Sequence, residues 1–259
     1  MPQTQYQTKP QPVAATPTKG RLRVGTSGYQ YAHWREAFYP EALPQRLWLE
    51  HYVRHFDTVE LNTTFYRLAG EKTFESWRRR APEGFLYALK FSRFGTHIKR
   101  LLDPAGTIGV FMERANQLGK LLGPILVQLP PTMQVDPARL DAFLAEAPRS
   151  SRWTVEFRNA SWLTDSVYEI LSRHHAALCI HDHIDQHPPV ITAKWTYLRY
   201  HGPGGGGGCY SEQELSQQAD RIKEWMDKGI DVYAYFNNDA YGFAVSNAVE
   251  LRRRLSGAD

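Results

Sequence analysis

The 259-residue sequence lacks several features that would assign it at once to a functional class. Its two cysteines, Cys179 and Cys209, are too few for a disulfide framework and show no zinc-binding spacing. No apolar stretch approaches the roughly 18 residues of a membrane-spanning helix. The net charge of +4 falls well short of the strongly basic balance of nucleic-acid-binding proteins. The composition is that of an ordinary globular protein, with 42% hydrophobic and 22% charged residues.

The N-terminal segment also lacks the apolar core of a secretory signal. Residues 1–20 are rich in Gln, Pro, Thr and Ala, which cannot bury enough surface to offset the cost of ordering. We therefore expect a disordered leader over residues 1–20, a single domain over residues 21–259, and a cytoplasmic protein with no membrane association.

Eight apolar runs share one pattern, in which alternate residues are hydrophobic and the intervening ones become polar or charged toward the run's C-terminal end. Successive side chains of a strand lie on opposite faces, so each set should share one face. The runs are 22–27, 58–62, 86–92, 125–129, 153–158, 177–182, 197–201 and 232–238. Each is predicted to be a strand.

Helical patterns follow most of these strands, over residues 47–56, 72–80, 108–122, 136–147, 161–174, 211–228 and 240–255. Strands that alternate with helices predict a parallel sheet, and eight of them favour a TIM-type (β/α)8 barrel. The segment 182–194 contains Pro188-Pro189, so the helix between strands 6 and 7 is predicted to be missing. Active sites of such barrels lie at the C-terminal ends of the strands.

Two glutamates, Glu60 and Glu156, are predicted to end strands 2 and 5 on the inward face. Their apolar neighbours would desolvate them and raise their pKa values toward the range useful for proton transfer. Nearby cations would lower those pKa values again. The alternative interpretation is that both carboxylates are buried ion-pair partners of these cations.

Lys90, Arg158 and Arg199 give the predicted barrel mouth three positive charges against the two glutamates. This balance suits a substrate that carries a phosphate or carboxylate. Other residues predicted to contact the substrate are Ser27, Tyr29, Asn62, Gln128 and Asn237. The asparagines and the glutamine would orient hydroxyl groups, and Tyr29 could stack on a sugar or a base.

The glycine run Gly204–Gly208 precedes a predicted helix and allows two interpretations. It could cradle a phosphate with its amides. It could instead be a mobile lid, which is favoured because five glycines make ordering costly.

A series of short motifs runs along the chain: Gly25-Thr26-Ser27-Gly28-Tyr29, Val59 to Tyr66, Lys90 with Thr96-His97, Gln128-Leu129-Pro130-Pro131, Glu156 to Trp162, Arg199-Tyr200-His201-Gly202, and Phe236-Asn237-Asn238 with Gly242 and Ala244. In this order the motifs resemble the family called domain of unknown function 72, or YecE-like. The resemblance implies a TIM barrel and a bacterial-type cytoplasmic protein but no reaction. It adds His97 as a candidate. The glycine run Gly204–Gly208 departs from the family pattern. At this position the resemblance implies a less repetitive loop that contains tyrosines.

We expect an enzyme that performs acid/base chemistry, as a hydrolase, lyase or isomerase, on a small anionic substrate such as a sugar, a sugar phosphate or a nucleotide. Glu156 would be the general base, His97 or His201 the acid, and Lys90, Arg158 and Arg199 would bind the anion.

Two alternatives remain open. One is a metal-assisted phosphodiester hydrolase, with ligands among Glu60, Glu156, His181 and His201, although no metal-binding spacing favours a cofactor. The other is a non-catalytic protein that binds nucleic acid or a partner through the basic residues Lys9, Lys19 and Arg21.

Overall fold

A computed structural model describes residues 18–256 and places eight parallel strands around one axis. From β2 to β8 each strand pairs with the next one in the sequence, and β8 pairs with β1. The strands are β1 (Leu22–Thr26), β2 (Thr58–Leu61), β3 (Leu86–Lys90), β4 (Leu122–Gln128), β5 (Trp153–Glu156), β6 (Ala177–His181), β7 (Trp195–Tyr200) and β8 (Asp231–Phe236). The predicted TIM-type barrel is confirmed.

The barrel closes through a short contact between β1 and β2. Ser27 forms a parallel bridge with Glu60, and the amide of Gly28 donates to the Glu60 carbonyl at 2.7 Å. A Cβ atom on Gly25 would lie 2.3 Å from the carbonyl oxygen of Thr58. The close approach of these two strands therefore requires glycine at position 25.

The helices lie outside the barrel and in the loops that follow its strands. They are α1 (Trp48–Tyr52), α2 (Thr63–Tyr66), α3 (Glu71–Arg80), α4 (Pro104–Ala115), α5 (Pro137–Glu146), α6 (Asp165–Arg173), α7 (Glu212–Asp227) and α8 (Phe243–Ser256). Two predicted caps form, since Asp136 accepts from the Arg139 amide at 3.0 Å and Ser211 makes a capping box with Glu214. The described segment between β6 and β7 contains no helix, as predicted.

Several boundaries differ from prediction. Helices α6 and α8 are each preceded by a 3-10 turn, so they begin later than the periodic patterns 161–174 and 240–255. Helix α1 ends at Tyr52, before the end of the pattern 47–56. The pattern 108–122 combines the end of α4 with a separate turn, Asn116–Leu121, that is kinked at Gly119. A π-helix, Phe94–Ile98, was not predicted because one turn is too short to show a periodic pattern.

The strand alternation divides the apolar residues into two cores. One parity, including Val59, Leu89 and Val155, packs against the helices. The other fills the barrel interior, and its members are Ala88, Leu126, Ala177, Cys179, Trp195, Tyr197, Tyr233 and Tyr235. Near the C-terminal ends of the strands, the interior positions change to buried charged residues, so the barrel mouth is built from ionisable side chains.

Residues 1–17, most of the predicted leader, lie outside the described residues. Across residues 18–256, none of the helices combines the length and apolar character needed to cross a membrane.

Candidate functional site

Arg199 lies at the centre of the barrel mouth and joins two carboxylates from other strands. Its Nε and Nη2 donate to Glu60 Oε2 and Oε1 at 3.0 and 2.8 Å. Its Nη1 donates to Glu156 Oε2 at 2.7 Å. All three side chains are buried. Because the strands are parallel and of similar length, residues that end β2, β5 and β7 converge on this point.

Both glutamates have further donors. Ser27 Oγ donates to Glu60 Oε1 at 2.6 Å, and the Tyr197 hydroxyl donates to Oε2 at 2.7 Å. Arg158 Nε forms an ion pair with Glu156 Oε1. Each of the four carboxylate oxygens therefore accepts at least one hydrogen bond, and the buried charges are compensated.

Burial alone would raise the pKa of Glu60 and Glu156, but the opposite charges outweigh it. Arg199 holds the pKa of Glu60 below its ordinary value. Arg199 and Arg158 together hold the pKa of Glu156 well below its ordinary value. Both groups are thus ionised at neutral pH, and their geometry is that of the ion-pair interpretation.

A second branch of hydrogen bonds runs from Arg158 toward the glycine run. Arg158 Nη2 lies 3.4 Å from His201 Nε2, and His201 Nδ1 lies 3.1 Å from Asp182 Oδ1. The Tyr210 hydroxyl donates to the same carboxylate. Since the carboxylate and the guanidinium fix opposite roles for the two ring nitrogens, His201 carries its proton on Nδ1. Burial lowers the pKa of His201, and the hydrogen bond that His201 donates to Asp182 opposes this only in part.

The glycine run is held by its own backbone. The amides of Gly205 and Gly207 donate to the carbonyls of Gly202 and His201, each at 2.7 Å. Asn238 Nδ2 donates to the Gly208 carbonyl at 2.9 Å. These amides are already used within the loop, so they are not directed at an anion.

Lys90 ends β3 in a different environment. Its ammonium nitrogen lies 4.4 Å from the centre of the Phe65 ring, and its side chain is 9% exposed. Among residues 18–256 it has no ion pair and no side-chain hydrogen bond. Burial, followed by the charge of Arg199, lowers the pKa of Lys90 from 10.5 to about 8, against the opposing effect of the two glutamates.

His97 lies beside the same phenyl ring, with ring centres 5.1 Å apart. The Thr96 hydroxyl donates its only proton to the Ser92 carbonyl at 3.0 Å, so it accepts from His97 Nδ1 at 2.9 Å. This assigns the proton of neutral His97 to Nδ1 and leaves Nε2 with a lone pair. Burial, then the charges of Lys90 and nearby arginines, lowers the pKa of His97 and favours this neutral form.

The remaining residues that were predicted to contact the substrate lie in different environments. Asn62 follows β2, and its buried Oδ1 has no hydrogen-bond partner among the described residues. Gln128 lies beside Glu156 in the β4–β5 register. The Asn237 amide donates to the Tyr200 carbonyl at 2.7 Å. Tyr29 is buried in the outer core against Tyr52, with ring centres 5.9 Å apart. It has no hydrogen bond to the carboxylates.

Three residues of the site were not singled out from the sequence. Tyr197 could have been found, because it is two residues before Arg199 and therefore on the same face. Phe65 lies in the short helix α2 and Tyr210 in a loop, where strand alternation gives no signal. Their positions follow only from tertiary packing.

The residues considered for a metal ion have other partners. His181 Nε2 lies 2.8 Å from the carbonyl of Phe157, and His201 and Glu156 belong to the network described above. Within residues 18–256, no group of three or more His, Cys, Asp or Glu side chains is arranged to hold a metal ion. A metal at these residues would have to displace existing hydrogen bonds.

Comparisons with known proteins identify relatives of similar length and architecture. The chain is 26% identical to UPF0759 protein YunF of Bacillus subtilis (strain 168), over 85% of this chain and 90% of that protein. It is 32% identical to UPF0759 protein YecE of Escherichia coli (strain K12) over 43% and 41% of the two chains. A DUF72 family protein from Thermotoga maritima MSB8 has a solved structure with a TM-score of 0.81 and 26% identity, over 91% of this chain and 99% of that one.

A further DUF72 structure, from Enterococcus faecalis V583, has a TM-score of 0.76 at 21% identity and covers 92% of this chain and 96% of that one, which supports the fold alone. The model of the family described as "Protein of unknown function DUF72" matches residues 23–259. The resemblance found in the sequence is confirmed, and the chain belongs to the DUF72 family.

Proposed function

We propose that this barrel is an enzyme that binds a small substrate through an oxyanion, a phosphate or a carboxylate, and performs acid/base chemistry on it beside β3. The observation that carries the proposal is Lys90, whose side chain is largely buried and whose ammonium has no anionic partner within bonding distance among residues 18–256. A buried charge is costly unless it is paired. A substrate anion would supply the missing partner.

The other cations of the mouth support this assignment to Lys90. Arg199 and Arg158 already pair with Glu60 and Glu156. An anion at either guanidinium would compete with a buried carboxylate, whereas an anion at Lys90 would compete with none. The exposed Arg93 and Arg100 add positive potential near His97, which attracts anions to the same side of the mouth.

His97 is the proposed general base. Its Nε2 carries the lone pair and would accept a proton from the substrate or from a water molecule. Lys90 would stabilise the negative charge that then develops on a substrate oxygen. The partnerless Asn62 Oδ1 would accept a hydrogen bond from a substrate hydroxyl.

In this proposal Glu156 and Glu60 position the arginines and transfer no proton. This differs from the general-base role that the sequence suggested for Glu156. The reason is that both Glu156 oxygens accept from guanidinium groups, and its pKa lies well below its ordinary value. Proton abstraction followed by charge stabilisation is a step that hydrolases, lyases and isomerases share, so the reaction class is left open.

Isothermal titration calorimetry with inorganic phosphate and with acetate tests the proposal. Lys90→Gln removes the charge and should weaken the binding of both anions about tenfold or more, since a charge-assisted hydrogen bond contributes about 1.5–3 kcal/mol. Lys223→Gln is the matched control, because Lys223 is an exposed lysine on α7. Equal affinities of the wild type and Lys90→Gln, or an equal loss in the control, would overturn the proposal.

A further inference from the structure

An apolar cleft opens beside the proposed site, between α2, the π-helix and α4. It has a volume of about 460 Å³. Its lining residues include Phe65, Tyr66, Leu68, Phe94, Val110 and Phe111. Tyr66, Val110 and Phe94 are 79%, 63% and 51% exposed, so the cleft is bordered by large apolar groups in contact with solvent. Adjacent exposed apolar side chains of this kind mark a binding surface more often than an inert one.

The cleft and the Lys90 ammonium share a wall. Phe65 lines the cleft, and its ring lies 4.4 Å from Lys90 Nζ. Ser92, which follows Lys90 by two residues in the chain, also lines the cleft. Phe65 is therefore the side chain that an anion at Lys90 and an apolar group in the cleft would both contact.

The size of the cleft fits an organic group. An apolar cavity of about 150 Å³ already holds benzene, and ligand pockets commonly span about 300–1,000 Å³. Phe65 and Phe94 contribute two aromatic rings to the lining of the cleft, and aromatic groups pack favourably against other aromatic rings.

The backbone around the cleft is also unusual. The π-helix Phe94–Ile98 is followed by Arg100, Leu101 and Asp103, which have φ values of 49°, 65° and 56°. Left-handed conformations at residues other than glycine are strained, and both such strain and π-helices concentrate at functional sites. This segment holds Phe94 on one side of the cleft and His97 beside Phe65.

We infer that the cleft is the specificity subsite for an aromatic ring of the substrate, whose attached phosphate or carboxylate pairs with Lys90. The substrate class is thus an aryl oxyanion compound with one or two ring-sized groups. This inference rests on the proposed function for the anion and adds the part of the substrate that the anion carries.

The test compares ligands that differ only in the ring. Phenyl phosphate is compared with methyl phosphate, and benzoate with acetate, by calorimetry. The wild type should bind the aryl member of at least one pair about tenfold more tightly, because the ring leaves water. The pair that shows the preference distinguishes a phosphate from a carboxylate substrate.

Two variants locate the preference. Val110→Trp fills the cleft from the exposed face of α4, and Phe94→Ala removes one wall. Both should abolish the preference for the ring while the affinity for methyl phosphate or acetate stays unchanged. Val249→Trp is the matched control, since Val249 is a 47% exposed valine on α8 and should leave all affinities unaltered.

Equal binding of the aryl and methyl ligands by the wild type, or a preference that survives both variants, would overturn the inference. If a wild-type dimer dissociates on Val110→Trp substitution in sedimentation experiments, a second copy of the chain covers the cleft instead. Binding of benzyl alcohol, measured by calorimetry, distinguishes a failure of the proposed function from a failure of the inference about the cleft. If benzyl alcohol binds to the wild type but not to Val110→Trp, while no anion binds to either protein, the proposed function fails and the cleft accepts only neutral rings.

Discussion

The two sides of the barrel mouth are built from similar residue types but differ in how their charges are paired. On the side formed by β2, β5 and β7, Glu60, Arg199, Glu156 and Arg158 form a continuous network, here called the paired sector. On the side of β3, Lys90 lies against Phe65 near His97, here called the unpaired sector. Both sectors bury charge, but only the paired sector offsets the cost of burial with opposite charge.

This difference separates what holds the site together from what acts on a ligand. A satisfied network fixes side-chain positions and has little capacity to bind more. A buried cation without a counter-ion destabilises the folded protein, so its presence calls for a compensating role in binding or chemistry.

The largest effect is expected from Arg199→Met. It leaves two buried carboxylates without their shared partner, and breaking one buried ion pair already costs about 3–5 kcal/mol. We expect a loss of at least this size in the free energy of unfolding, measured by urea denaturation near pH 7.

The matched variant for Arg199→Met is a triple substitution that adds Glu60→Gln and Glu156→Gln. It removes the unpaired charges and should recover part of the lost stability. A loss below about 1 kcal/mol for Arg199→Met alone would show that the paired sector is not held together by its charges.

Lys90→Met should raise the free energy of unfolding, whereas Arg199→Met should lower it. The Lys90→Met substitution keeps the length of the side chain and removes a charge that is costly to bury. The displacement of the Lys90 pKa from 10.5 to about 8 corresponds to about 3 kcal/mol, at about 1.4 kcal/mol for each tenfold change in proton affinity. Urea denaturation at pH 7 should therefore show a stabilised variant, by up to this amount. A destabilised variant would mean that Lys90 has a compensating partner after all.

The stabilisation by Lys90→Met should also depend on pH. Below pH 8, Lys90 is charged in both the folded and the unfolded wild type, so the buried charge destabilises the folded state by the full amount. Between about pH 8 and 10.5 the unfolded state binds more protons, so wild-type stability rises relative to the variant. The difference in unfolding free energy should shrink over this window, and a difference that stays constant would contradict the lowered pKa.

The smallest effect is expected in the second branch of hydrogen bonds, which runs from Arg158 toward the glycine run. Tyr210→Phe removes the hydroxyl that donates to Asp182 and accepts from the Gly202 amide. A loss of about 1–3 kcal/mol is expected, with faster hydrogen exchange at Gly205 and Gly207. Tyr200→Phe is the control, because its hydroxyl makes only a 3.3 Å hydrogen bond to Gln218. Equal exchange in the two variants would argue against a role for Tyr210 in holding the glycine run.

Much of the barrel could be predicted from the sequence because strand alternation is a local property. The inward face of β7 follows from Arg199 alone, since its neighbours two residues away must share that face. The pairing of Arg199 with Glu60 and Glu156 could not be predicted, because it depends on where three non-adjacent strands bring their side chains. For the same reason, the absence of an ionic partner within bonding distance of Lys90 among residues 18–256 could not be predicted.

The unpaired sector was the harder part to predict. His97 was found only through the family resemblance, since it lies in a π-helix without a periodic pattern. Phe65 carries no charge and gave no reason to be chosen. Its importance follows from its position between Lys90 and the apolar cleft.

The most direct test of the account is a titration of the Lys90 ammonium by 15N NMR, assigned with Lys90→Gln, in the absence and presence of phosphate. We expect a pKa of about 8 for the free protein and a higher value once an anion is bound, because an opposite charge favours the protonated form. A Lys90 signal that titrates near the ordinary value of 10.5 and does not respond to phosphate or acetate would contradict the central claim.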